Sequence, residues 1–344
     1  MPKHDLATVA TAMVAPGRGI LAADESTGTI EKRFASIQVD STEESRRSYR
    51  DLLFSTRELE KYVSGVILYD ETIRQKSATG TPFVELLAKR GVVPGIKVDT
   101  GAKDLALCPG EKVTEGLDNL AKRCAEYFKL GARFAKWRAV ITIGPETPSS
   151  TCIAANAHAL GRYAAICQAA GLVPIVEPEV LMDGDHTIER CEEVTEWTLN
   201  AVYEALYINR VTLEHSVLKP SMVISAKNAS RRAPVEEVAQ RTVRVLKRSV
   251  PAAVAGIVFL SGGQSDEIAT AHLNAMNKLF AGGLPWPLSF SYGRALQQPA
   301  LKAWKGAPAN VPAAQAALLH RARMNSLACL GRYSEDQEKP ALAA

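Results

Sequence analysis

Eight short apolar runs alternating with longer helical stretches predict an α/β protein of the (β/α)8 barrel (TIM barrel) class. The runs are near-continuously apolar, as strands buried on both faces of a parallel sheet must be. Charged residues gather at the C-terminal ends of the runs, the end at which such barrels carry their sites. A doubly wound open sheet is the rival. No G-x-G-x-x-G follows the first run, so its dinucleotide-binding form loses support. Length alone suggests about two domains, but no Gly/Ser- or Pro-rich linker divides the chain. The expected organisation is one barrel domain over residues 1–330, with a small, polar and mobile tail over 331–344.

In chain order, Met1–Ala15 is apolar-rich but carries Lys3, His4 and Asp5, which favours an N-terminal helix over a signal peptide. The strand runs follow at 19–23, 65–69, 92–98, 132–137, 172–176, 213–218, 255–260 and 287–291. Between them, Ser41-Thr-Glu-Glu44 has capping-box spacing and opens a helix toward Glu60. A periodic segment over 116–130 stops at Gly131, and one over 150–170 stops at Gly171, as helices ending on glycine do. Segments 187–208, 234–249 and 265–280 also read as helices, and 70–90 is the weakest of the set.

Composition narrows the function. The 344 residues include 41 Lys+Arg and 37 Asp+Glu, a net charge of +4, too small and too dispersed to favour nucleic acid or membrane partners. With 47% hydrophobic residues, disorder is excluded as a global state. No run reaches the ~18 apolar residues of a membrane span. The six cysteines, at 108, 124, 152, 167, 191 and 329, form no C-x-x-C pair. They read as reduced thiols, which points to the cytoplasm.

The strand ends carry Asp24, Tyr69 and Asp70, Lys97 and Asp99, Lys136 and Arg138, Glu177 and Glu179, Lys219, Ser261-Gly-Gly263, and Ser291 with Gly293 and Arg294. Residues spaced i, i+2 on a strand face one side, so Lys136 with Arg138, and Glu177 with Glu179, each aim two charges together. A single lysine at a strand end commonly marks the exit to solvent. Three lysines and three carboxylates ending five buried strands instead form a cluster, because buried charge is costly unless paired. A neutral lysine can attack a ketone to form a Schiff base. A second ammonium ~4 Å away, at an effective dielectric of ~20, would disfavour protonation by about 4 kcal/mol, roughly three pKa units. Lys219 and Lys136 are the expected pair, with the carboxylates shuttling protons. The loops after the seventh and eighth strands, where barrels frequently hold phosphate, supply Ser261, Gly262, Gly263, Ser291, Gly293 and Arg294.

Other constellations are weaker. The histidines (4, 158, 186, 215, 272, 320) have no metal-binding spacing, and a carboxylate magnesium site from Asp24, Glu177 and Glu179 is disfavoured by the lysines among them. Trp137 and Tyr292 read as packing, and Arg46-Arg47 and Arg231-Arg232 as solvated helix faces.

The segments Leu21-Ala-Ala-Asp-Glu-Ser-Thr-Gly28, Gly95-Ile-Lys-Val-Asp99, Phe134-Ala-Lys-Trp-Arg138, Val176-Glu-Pro-Glu179, Leu218-Lys-Pro220, Leu260-Ser-Gly-Gly-Gln-Ser265 and Phe290-Ser-Tyr-Gly-Arg-Ala-Leu296 closely resemble class I fructose-1,6-bisphosphate aldolase, from about Val14 to Tyr333. The resemblance implies a (β/α)8 barrel and a lyase without metal or other cofactor. Its reaction is the reversible cleavage of fructose 1,6-bisphosphate to dihydroxyacetone phosphate and glyceraldehyde 3-phosphate, in glycolysis and gluconeogenesis. It also implies a homotetramer. Carried over by motif, Lys219 is the Schiff-base lysine, Glu177 the acid/base of the imine steps with Glu179 beside it, and Asp24 the base for the C4 hydroxyl. Lys136 is the assisting lysine. Ser261, Gly262, Gly293 and Arg294, with Gly263 and Ser291 adjoining, clamp one phosphate; Ser26, Thr29 and Lys97 hold the other, and Arg33 and Arg138 complete the substrate-binding set.

The chain departs from that pattern at its end. Many members of the family close on a tyrosine that helps protonate the enamine and favours the bisphosphate over fructose 1-phosphate. Here the last residues are Lys339-Pro-Ala-Leu-Ala-Ala344, and the last tyrosine, Tyr333, matches an upstream family position. Protonation then falls to Glu177 or to Tyr333. Thr29 and Ser221 are smaller departures. The rival functions are a Schiff-base aldolase with another sugar phosphate as substrate, such as a transaldolase-like enzyme, a metal-dependent lyase, and a binding or scaffold role on the same fold.

Overall fold

The computed structural model describes residues 5–339. Its strands are β1 (Gly19–Ala22), β2 (Val63–Leu68), β3 (Val93–Lys97), β4 (Gly101–Asp104), β5 (Lys112–Glu115), β6 (Phe134–Ile141), β7 (Val173–Val180), β8 (Val217–Leu218), β9 (Gly256–Phe259) and β10 (Leu288–Tyr292). The helices are α1 (Leu6–Met13), α2 (Thr27–Ala35), α3 (Glu43–Ser55), α4 (Asp70–Ile73), α5 (Phe83–Lys89), α6 (Leu120–Leu130), α7 (Ser150–Ala169), α8 (Ile188–Ile208), α9 (Val235–Ser249), α10 (Asp266–Leu279), α11 (Arg294–Trp304) and α12 (Val311–Cys329). Eight strands close a barrel in the order β1-β10-β9-β8-β7-β6-β3-β2, with every neighbouring pair parallel. The predicted fold class is the observed one.

Alternation along the strands sorts the barrel's interior. Ile20, Ala22, Ile67, Phe134, Val173, Ile175, Val217 and Val258 form one apolar cluster with Val9, Ala10, Met13 and Val14 of the N-terminal segment. The helix α1 therefore plugs the N-terminal mouth with apolar side chains. One strand repeat farther along, the same inward positions carry Lys136 on β6 and Glu177 on β7, at the opposite end. Phe134 lies where a Cβ on Gly95 would be, 2.2 Å from its ring, so only glycine at 95 leaves room for it. The second, larger cluster packs the outward strand residues against the helices.

Several boundaries differ from expectation. The strands β6 and β7 run to Ile141 and Val180, so Arg138, Glu177 and Glu179 lie within them rather than beyond their ends. Pro178 is tolerated in β7 for a directional reason. The N–H groups of Val173 and Leu181 donate to Arg133 and Ile141, so odd-numbered residues face β6 and Pro174 and Pro178 face β8. The β8 ladder engages only Ile175 and Val176 of β7, so neither proline removes a donor that it needs. Of the run 213–218 only Val217–Leu218 is strand, and Leu213–His215 forms a 3-10 turn.

The helix expected to reach Glu60 ends at Ser55 and begins one residue later than the Ser41–Glu44 spacing implied. Thr42 Oγ1 accepts from the Ser45 N–H at 3.1 Å, and Ser45 Oγ from the Thr42 N–H at 2.9 Å. The 70–90 interval splits into α4 and α5. The segment expected helical from 116 begins at Leu120, after Asn119 in the left-handed region. The hairpin β4–β5 and helices α11 and α12 were not anticipated. Arg46 is not simply solvated: it pairs with Glu71 at 2.6 Å.

Of the tail expected to be mobile, 331–339 is described and 340–344 lies outside the described residues. Within the described part, Glu335–Glu338 forms a 3-10 turn, and Glu338 accepts from Arg321 at 2.6 Å and from the Tyr333 hydroxyl at 3.0 Å.

Candidate active site

The barrel register brings the charged residues together. Glu177 sits opposite Arg138, and Lys97 opposite Lys136, in adjacent strands. Lys219 follows β8 directly, its backbone N–H donating to the Val176 carbonyl at 2.8 Å, which fixes it beside Glu177. The sixteen residues given catalytic or binding roles from the sequence line one open cleft of about 230 Å³, together with Ala22, Glu25 and Leu260, whereas the strand-end residues Tyr69, Asp70 and Asp99 do not line it.

At its floor lies a buried chain of alternating charge. Lys219 Nζ is 3.1 Å from Glu177 Oε1, Lys136 Nζ is 3.2 Å from Glu177 Oε2, and Lys136 Nζ is 2.8 Å from Asp24 Oδ2. The side chains of Lys219, Lys136 and Glu177 are each 4% exposed. The sequence reading set the two ammonium groups against each other, whereas the structure places Glu177 between them, one oxygen toward each. Burial pushes the Lys136 ammonium toward deprotonation, but the carboxylates of Asp24, Glu177 and Asp99 outweigh it and hold the amine well above its ordinary value. Burial likewise pushes the Asp24 carboxyl up, and the ammonium groups of Lys136, Lys219 and Lys97 overcome it, holding Asp24 well below the usual carboxylate range.

Around this floor, Arg138 Nε donates to Glu179, and Lys97 donates to Asp99, through both its carboxylate and its carbonyl at 2.9 Å. Asp24, Glu177 and Glu179 each face a cation rather than converging on one point, and among the described residues no three such ligand-type side chains come together as a metal site would require.

Two polar edges flank the charge chain. On one, Ser261–Gly263 enters a tight turn closed by the Gln264 N–H on the Ser261 carbonyl at 3.0 Å. Its two central glycines have φ of +55° and +87°, the left-handed region that L side chains disfavour. A Cβ on Gly263 would also stand 2.9 Å from Met182 Sδ and 3.3 Å from the Arg294 guanidinium. Ser291 Oγ is buried with no hydrogen-bond partner among the described residues. On the other edge stand Ser26 and Thr29, their hydroxyls 3.1 Å apart, with Lys97.

Sequence reasoning missed Glu25, the residue that holds Arg33. Glu25 is buried and pairs with Arg33 and, at 2.6 Å, with the buried Arg50. Gln297 Nε2 donates to Glu25 at 2.8 Å and to the Ala22 carbonyl at 2.6 Å. Burial acts to raise the Glu25 carboxyl, and the two guanidiniums hold it below its ordinary value. Arg50, directly after Tyr49 and one helical turn before Leu53 and Phe54 on α3, was the available signal.

Comparison with known proteins places this geometry. A family model described as "Fructose-bisphosphate aldolase class-I" matches residues 5–344. The chain belongs to the class I fructose-bisphosphate aldolase family. It is 60% identical over 334 residues to a protein of Xanthomonas campestris pv. campestris named "Probable fructose-bisphosphate aldolase class 1", covering 97% of this chain and 99% of that one. It is 56% identical to "Fructose-bisphosphate aldolase 1" of Toxoplasma gondii, over 96% of this chain and 91% of that one. Among solved structures, the Plasmodium falciparum fructose-bisphosphate aldolase, crystallised with TRAP and a small-molecule inhibitor, superposes with a TM-score of 0.94 at 51% identity, covering 96% of this chain and 95% of that chain. Schiff-base chemistry is characteristic of this family, and here Lys219 places a buried amine 3.1 Å from the Glu177 carboxylate.

Proposed function

We propose that Lys219 is the Schiff-base lysine of this aldolase, acting on fructose 1,6-bisphosphate. The contact of Lys219 Nζ with Glu177 Oε1 at 3.1 Å carries the reading. Glu177 takes the ammonium proton, and the freed amine attacks the C2 ketone. The carbinolamine oxygen leaves as water with a proton returned by Glu177, forming a C2 iminium. Asp24, held ionised by its lysine neighbours, accepts the C4 hydroxyl proton. The C3–C4 bond breaks, its electron pair enters the iminium as an enamine, and the aldehyde triose phosphate departs. Lys136, in contact with both carboxylates, passes a proton to Glu177 and recovers the one that Asp24 took from the C4 hydroxyl; Glu177 delivers it to the enamine at C3, and hydrolysis of the resulting iminium releases dihydroxyacetone phosphate and the Lys219 ammonium. Lys136, held charged, stabilises the anionic forms of Glu177 and Asp24 in turn. Glu179 orients Arg138 toward substrate.

Ser261, Gly262, Gly263, Ser291, Gly293 and Arg294 hold one phosphate, and Ser26, Thr29 and Lys97 hold the other, with Arg33 at the rim. The unpartnered Ser291 hydroxyl supports the first assignment, and the Ser26–Thr29 hydroxyl pair supports the second. Steady-state cleavage of fructose 1,6-bisphosphate tests the assignment: Lys219→Ala should lose turnover entirely, and near-normal turnover in that variant rules it out. Comparing turnover of fructose 1-phosphate and of the bisphosphate settles which the cleft prefers.

The assembly we propose, on the family resemblance, is a homotetramer. Tyr207 and Ile208, at 84% and 68% exposed near the end of α8, are the kind of apolar surface an assembly would cover. Light scattering on the purified chain at a single tetramer mass is the expected result, and a monomer mass would overturn it. No described helix is long and apolar enough to cross a membrane. A cytoplasmic setting is supported by the cysteines, which form no disulfide among the described residues, and by cytosolic relatives such as that of Arabidopsis thaliana.

A further inference from the structure

The turn at Ser261–Gly263 is a thin wall. Its two central residues are left-handed glycines without side chains, so it has little packing of its own. On the face away from the catalytic cleft lies a second cavity, of about 660 Å³, lined by Gly263, Gln264, His272, Ile268 and Val238 among others. A turn with open space on both sides and two glycines at its tip needs a tether to keep its N–H groups aimed at an anion.

The tether visible here runs through two side chains. Gln264 Nε2 donates to the Ser261 carbonyl at 3.0 Å, a second bond to the oxygen that already accepts the Gln264 backbone N–H. With the amide nitrogen turned to that carbonyl, Gln264 Oε1 faces His272 Nδ1 at 2.6 Å. An oxygen there accepts, so His272 donates through Nδ1. His272 is 5% exposed and sits on α10, one and a half turns from its start, so the turn is tied to a rigid element. Burial pushes the imidazole pKa down to about 4, which keeps the ring neutral in this tautomer near neutral pH.

We propose that His272 is a positioning residue for the phosphate clamp, holding the Ser261–Gly263 turn in its anion-binding geometry through the Gln264 amide. The proposal rests on the reading of this turn as a phosphate site and adds the group that maintains it. His272 touches neither substrate nor the reacting atoms. Its loss should therefore weaken phosphate binding and leave the bond-making steps intact.

The test measures KM and kcat for fructose 1,6-bisphosphate, and the inhibition constant of inorganic phosphate, in five variants. His272→Ala should raise KM and the phosphate inhibition constant by about tenfold with kcat within about twofold, the range expected for losing one buried hydrogen bond. His272→Asn should restore both constants to within about twofold of wild type, because its amide N–H stands where Nδ1 stood. Gln264→Leu should match His272→Ala, and the double variant His272→Ala/Gln264→Leu should be no worse than either single one. Asn behaving like Ala, additive losses in the double variant, or a fall in kcat at unchanged KM would each overturn the proposal. Arg294→Ala separates the two levels. If it leaves KM and phosphate inhibition unchanged, the turn is not the phosphate site and the proposal falls with that reading. If it weakens both constants while His272→Ala does not, the tether alone is wrong. Because Gln264→Leu lies on a surface turn, it carries the test even where a His272 variant folds poorly.

Discussion

Lys219 and Glu177 meet at 3.1 Å on the barrel floor, each with a side chain 4% exposed. A lysine attacks a carbonyl only after losing its proton, and here the acceptor is in contact before substrate arrives. Glu177→Gln keeps the shape and removes the base. It should lower kcat by about 10²–10⁴-fold, the usual scale for losing a positioned general base. Single-turnover kinetics should place the loss in imine formation and hydrolysis. A kcat within threefold of wild type would contradict the role.

Asp24 is held below the ordinary carboxylate range by Lys136, Lys219 and Lys97, against the opposing effect of burial. A carboxyl whose folded pKa is depressed stabilises the fold at pH above its unfolded value, and that contribution is lost as pH falls through the folded pKa. Asp24→Asn should therefore flatten the dependence of stability on pH below about pH 4, measured by denaturant unfolding. In activity, it should slow carbon–carbon cleavage by about 10²-fold or more while the imine with dihydroxyacetone phosphate still forms. An unchanged cleavage rate would remove Asp24 from the mechanism.

Substitutions at the two proposed phosphate edges should separate binding from chemistry. Arg294→Ala deletes a charged donor, and Ser291→Ala deletes a hydroxyl that has no protein partner among the described residues. We expect KM to rise about 10–100-fold for Arg294→Ala and about 3–10-fold for Ser291→Ala, with kcat changed far less. Because Ser291 Oγ bonds nothing among the described residues, its removal should leave the melting temperature nearly unaltered. A large loss of stability with unchanged KM would make it structural.

Much of this was legible in the residues. Eight apolar runs indicate the barrel because parallel strands buried on both faces show no polar alternation, and i, i+2 spacing alone puts Lys136 with Arg138 and Glu177 with Glu179. The hairpin at Gly101–Asp104 and Lys112–Glu115 was illegible because its strands are mostly polar and exposed. The position of Glu177 between two lysines was illegible for another reason. It depends on the register of β6, β7 and β8, which sequence spacing within one strand does not encode. Glu25 and Gln297 escaped because their work is to hold Arg33, through contacts between residues 8 and 272 positions apart.

Tyr333 tests how the enamine is protonated. Its hydroxyl donates to Glu338 at 3.0 Å and its backbone N–H to Asn274 at 2.9 Å, and it does not line the cleft. Tyr333→Phe should therefore leave solvent exchange of the C3 proton of dihydroxyacetone phosphate within about twofold of wild type, followed by deuterium incorporation. A drop of an order of magnitude would transfer the proton-donating role from Glu177 to Tyr333.

The most direct measurement traps the covalent intermediate. Borohydride is added to the enzyme in the presence of dihydroxyacetone phosphate, and the digested peptides are mapped by mass. The account predicts one reduced adduct, on Lys219, absent from Lys219→Ala and absent without the triose phosphate. An active enzyme whose Lys219 peptide stays unmodified, or whose adduct falls on Lys136, would contradict it.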